Sequence, residues 1–148
     1  MDEVQSDRQY LTFLMAGEEY GVDILAVQEI RGWGNATVIP NSPAFVKGAI
    51  NLRGTIVPII DLRLRFGIEA VEYGPLTVVI VVKVDFKEHT KTMGIVVDGV
   101  SDVYSISDAK AKDVPDFQES KSSQFVDGLV NVGEKMVVLL NLQKTLQI

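Results

Sequence analysis

The sequence predicts an all-β protein in which two small barrels share one chain. Three observations carry this expectation. The apolar residues fall in short runs between turn signals rich in Gly, Asn, Asp and Pro, not in long helical stripes. One hairpin-like stretch recurs without a gap 80 residues further on. With 148 residues and no cysteine, the chain can bury a core without disulfide staples.

The elements follow in order. Tyr10–Met15 runs through Gly17, Glu18 and Glu19 into Tyr20–Val22, the pattern of a hairpin. Asp23 stands where an N-cap would, before Ile24, Val27 and Ile30 at helical spacing, so a short helix is expected there. Gly32–Asn35 breaks it, and Thr37–Ile39 reads as a short strand ended by Pro40. Lys47–Leu52 and Thr55–Ile60 flank Arg53-Gly54, a two-residue hairpin connection. Pro58 cannot donate to a ladder, which places the second of these strands at an edge or bulge. Leu76–Val84 and Thr92–Val97 pair across the polar turn Lys87–Lys91. Ser107–Ser123 reads as a loop, Asp127–Val132 and Lys135–Leu140 as two more strands, and Asn141–Ile148 as a short terminal helix.

The repeat is the most informative feature. Gly48-Ala-Ile-Asn-Leu-Arg-Gly-Thr-Ile-Val-Pro-Ile-Ile-Asp-Leu62 aligns with Gly128-Leu-Val-Asn-Val-Gly-Glu-Lys-Met-Val-Val-Leu-Leu-Asn-Leu142. A weaker echo at a separation of 73 links Gly21, Val22, Val27 and Ile30 to Gly94, Ile95, Val100 and Val103. The extra seven residues can be absorbed in Ser107–Ser123. Two copies of one plan imply a first barrel over residues 1–70 and a second over 71–148, together one domain.

Composition narrows the function. Twenty acidic against fourteen basic residues give a net charge of −6, with the basic residues scattered, so nucleic acid and anionic membrane are poor partners. Met1-Asp2-Glu3 does not open a signal peptide, and the apolar runs Ile56–Ile60 and Val78–Val82 are far too short to span a membrane. A cytoplasmic location is expected. His89 is the single histidine and sits in a charged turn. With no cysteine beside it, zinc ligands are lacking, and no nucleophile–base pair stands out. Asp98, Asp102, Asp113, Asp116 and Glu119 lack the spacing of a calcium loop. Gly32-Trp33-Gly34 is no dinucleotide fingerprint, and a phosphate loop is missing. No catalytic residue, metal or cofactor is expected.

Binding residues remain. Trp33 is either an exposed anchor or a lid over one barrel. Arg53, at a hairpin tip, is either a recognition residue for a carboxylate or half of an internal bridge to Asp61 or Glu29. Val27, Ile30, Val100 and Val103 either fill cores or line a groove between barrels.

At these residues the chain resembles the CheW family of bacterial chemotaxis coupling proteins. The resemblance lies in Glu19–Gly32, Pro43–Leu62 and Gly94–Val103, and extends from about Tyr10 to Leu146. It implies a pair of SH3-like five-stranded barrels with short helices. It also implies an adaptor, without catalysis, between transmembrane chemoreceptors and the regulatory domain of the histidine kinase CheA, recruited to membrane receptor arrays. By motif position, the family's groove for the receptor's cytoplasmic tip falls on Ile24, Val27, Glu29, Val78, Gly94, Val100 and Val103, with Arg53 at its edge. The kinase contact is expected outside that groove. The same fold occurs within CheA and in CheV-type adaptors; lacking a kinase or receiver segment, this chain is expected to be a free-standing coupler.

Overall fold

The computed structural model describes residues 7–107 and 124–147. The expected loop Ser107–Ser123 lies almost wholly outside these residues. Among the described residues, ten strands build two five-stranded sheets. In chain order they are β1 (Asp7–Met15), β2 (Glu18–Asp23), β3 (Val27–Gly32), β4 (Val46–Leu52), β5 (Thr55–Asp61), β6 (Val78–Asp85), β7 (Thr90–Val97), β8 (Gly99–Ser107), β9 (Val126–Val132) and β10 (Lys135–Leu140). One-turn helices α1 (Leu62–Arg65) and α2 (Leu142–Thr145) follow β5 and β10. The first barrel has the order β3-β6-β7-β5-β4, the second β8-β1-β2-β10-β9.

The strands do not respect the expected boundary between residues 70 and 71. The hairpin β1–β2 opens the chain yet belongs to the second barrel, and β6–β7 belongs to the first. The repeat finds equivalent hairpins, but which sheet each hairpin joins is decided by long-range pairing that a local pattern does not carry. The equivalence itself is reproduced to the residue. Strands β4 and β9 start 80 residues apart, as do β5 and β10, and α1 and α2. Leu139 pairs in parallel with Gly21 just as Ile59 pairs with Gly94. The β4–β5 ladder shifts register before Gly48, and the β9–β10 ladder shifts beside Gly128. Gly48 has φ +139°, and a Cβ there would stand 2.4 Å from the carbonyl oxygen of Thr37, so only glycine fits.

Alternation along the strands sorts side chains into three cores. Val57, Ile59, Val79, Val81 and Val96 fill the first barrel, capped by partly buried Trp33 and Tyr73. Ile106, Val130, Val137 and Leu139 fill the second. The largest cluster lies between the barrels and takes the other faces of the same strands, including Leu11, Phe13, Ile80, Val82 and Ile95. Strand β6 is buried on both faces, which explains the unbroken apolar run Val78–Val82.

Several local expectations are corrected. Instead of a helix from Asp23 to Ile30, a single 3-10 turn (Ile24–Ala26) leads into β3. Asp23 caps that turn through a bond from the Leu25 amide, 2.9 Å. Thr37–Ile39 is no strand; Thr37 makes one isolated bridge to Ala49. Strand β5 is not an edge, but Pro58 pairs only with Ala49 because the ladder to β7 begins at Ile59. Strand β8 and helix α1 stand outside the elements the sequence predicts.

Candidate protein-interaction surface

The surface starts from two β-bulges. On β3, Val27 faces Val82 and Ile30 faces Ile80, so three residues of β3 span two of β6. On β8, Val100 faces Phe13 and Val103 faces Leu11 in the same way. The inserted residue turns an i, i+3 pair onto one side of a strand. That side is the one facing the core between the barrels, since Ile80, Val82, Leu11 and Phe13 belong to it. Both strands lie at the edge of their sheets, so their apolar faces run outward from that core into solvent.

Ile24, Val27 and Val78 lean against the shared core and are partly buried. Val100 and Val103 stand at 37% and 45% exposure. The 3-10 turn joins the two sides. An open cleft of about 520 Å³ is lined by Ile24 and Leu25 from the turn, Gln9 from β1 and Ser105 from β8. Ser105 pairs with Gln9 as Val103 pairs with Leu11, so Val103 lies on the cleft side of β8, two residues along.

Charge lies on the other side of β3. Glu29 and Arg31 alternate with Ile30, and the Glu29 carboxylate receives Arg53 Nη2 at 3.1 Å and Arg31 Nη1 at 3.4 Å. Arg53 occupies the hairpin tip at φ +50° and remains 74% exposed at its side chain. Of the two readings of Arg53, the bridge to Glu29 is present, and the guanidinium still faces water. The pair ties edge strand β3 to the β4–β5 tip across the open side of the first barrel. Trp33 packs edge-on to Tyr73 with centroids 4.7 Å apart, the lid position rather than a free anchor. Burial and the bond to the Asp61 carboxylate push the Tyr73 phenol well above its usual range.

Gly94 departs from the expected groove. It is buried inside the first barrel, where a Cβ would meet Ile59 Cδ1 at 2.6 Å and Val79 Cγ1 at 2.8 Å. It offers no surface; its role is to let β5 and β6 side chains close over β7. Ile30, one of the four residues expected either to fill a core or to line the groove, is 43% exposed beside Val27. Leu25, 85% exposed at the cleft, has no signal in the sequence, because nothing there says which side of a single turn faces out.

His89 sits in the β6–β7 turn, stacked on Phe86 at 5.5 Å. No described helix is long and apolar enough to cross a membrane.

The CheW-like domain model matches residues 9–148. The chain belongs to the CheW family. Chemotaxis protein CheW of Klebsiella aerogenes is 46% identical over 139 residues, covering 94% of this chain and 81% of that protein. A probable chemotaxis protein CheW of Rhizobium etli is 37% identical, covering 94% and 87%. The crystal structure of scaffolding protein TtCheW from Thermoanaerobacter tengcongensis superposes with a TM-score of 0.84 at 30% identity, covering all of this chain and 93% of that one. The two SH3-like barrels are therefore the CheW fold, and their pseudo-equivalent edge strands are a feature of this CheW-family chain at the residues named above.

Proposed function

We propose that this chain is a non-catalytic chemotaxis adaptor, which joins the cytoplasmic tip of a chemoreceptor to the regulatory domain of the kinase CheA. The observation that carries the receptor half is the apolar face that leaves the inter-barrel core along both β3 and β8. A receptor tip is a helical hairpin, and an apolar face bordered by charge suits one of its helices. Glu29, Arg31 and Arg53 along the border set orientation and selectivity more than affinity. Partly exposed valines provide modest burial, so one contact is weak and gains strength from repetition in an array. The kinase surface lies elsewhere on the barrels. The protein acts in the cytoplasm at membrane-bound receptors, without entering the bilayer.

The test is a two-bait capture with Val103→Asp, first checked by circular dichroism. Val103 is 45% exposed, so the charge is tolerated in the fold. Burying an unpaired carboxylate against the receptor is prohibitive, so receptor capture should vanish while CheA capture persists. Loss of both partners, or of neither, contradicts the assignment.

A further inference from the structure

Beside the shared apolar core, one side chain of the first barrel reaches into the second. Arg65 ends α1 and reaches the C-terminal turn of α2: its Nε donates to the Thr145 carbonyl at 2.7 Å, and its Nη2 to those of Gln147 at 2.9 Å and Lys144 at 3.3 Å. The Lys144 and Thr145 carbonyls close the C-terminal end of α2, where a cation is favoured, and Gln147 follows just beyond it. The guanidinium also lies between two rings, 4.9 Å from the centroid of Phe45 and 4.8 Å from that of Phe125. Phe45 and Phe125 are 80 residues apart, as are Arg65 and Thr145. Equivalent residues of the two halves thus face each other around Arg65, as they would beside an approximate two-fold axis.

The second half supplies no second arginine: Thr145 occupies the equivalent place, so one cation serves both barrels. Hydrophobic attraction between the barrels has no direction of its own, whereas a planar fork held by three carbonyls and two rings does. Burial lowers the Arg65 pKa, but the group remains a cation at any physiological pH.

We infer that Arg65 is a positioning residue, a clasp that fixes the angle between the barrels and with it the relative setting of the apolar faces on β3 and β8. The consequence for binding rests on the proposed receptor contact; the clasp does not.

The absence of cysteine allows a direct test. Spin labels are placed by Glu88→Cys in the β6–β7 turn and Glu134→Cys in the β9–β10 turn, one on each barrel, and the distance distribution is measured. Arg65→Met keeps the aliphatic packing and removes the fork. A distribution broader than the parent's, or shifted, is expected, together with roughly tenfold weaker capture of a receptor signalling fragment. Val130→Ala, which loosens only the interior of the second barrel, should lower the melting temperature and leave the distances unchanged. A parent-like distribution in Arg65→Met overturns the clasp. If that variant does not fold, Arg65→Lys is read the same way, since one ammonium cannot span three carbonyls. Absence of receptor capture by the parent itself would count against the receptor contact and leave the distance result standing.

Discussion

Arg53 combines two features that pull apart. Its positive φ is uncommon for a residue with a Cβ, and its neighbour Gly54 at φ +89° completes a tight hairpin turn. Its ion pair with Glu29 is exposed at the arginine, so the pair adds only about 0–1 kcal/mol to folding. Arg53 thus contributes little to stability from its place in the turn, which leaves it available for the recognition role proposed above. Arg53→Glu places two carboxylates side by side and should lower the melting temperature only slightly. It should weaken receptor capture and flatten the dependence of that capture on salt, measured by titration at two ionic strengths. Unchanged affinity would assign Arg53 to barrel closure alone.

Single elements differ in how much of their structure is local. The β4–β5 and β9–β10 hairpins were legible because their turns and alternation are local signals, and they start and end within a residue or two of expectation. Strand β3 was not, because its bulge gives Val27 and Ile30 the spacing of a helix. Strand β8 was missed because Ser101, Asp102 and Ser105 dilute an edge strand that is covered on one side only. The junction of β7 and β8 carries its own staple, invisible in sequence. Asp98 receives Arg63 at 3.0 Å and 2.7 Å from α1, and the Ala16 amide at 2.8 Å from the β1–β2 turn. The bond from Arg63 is the chief cause that holds the Asp98 carboxyl below its usual range. A carboxyl with a lowered folded pKa stabilises the fold at neutral pH and loses that contribution as pH falls through its folded value. Asp98→Asn should cost about 1.5–3 kcal/mol at pH 7 in denaturant unfolding. The gap from wild type should close on acidification through and below the usual carboxylate range. A gap independent of pH would mean that shape, not charge, holds the junction.

At the scale of the molecule, each sheet draws strands from both halves of the chain, and the largest core lies between the sheets. The two edge faces are therefore parts of one body, built twice by the same bulge and brought to the same core. In the proposed function, β3 and β8 act together as one receptor-binding surface, with the 3-10 turn between them. The most direct measurement is the amide chemical-shift footprint of a receptor signalling fragment on the isotope-labelled chain. The expected shifts cluster on Ile24–Gly32 and Gly99–Ser105, reach Arg53 at the rim, and spare the strands β4 and β9. A footprint confined to one of the two edge strands, or centred on the β4–β5 and β9–β10 hairpins, would contradict the account.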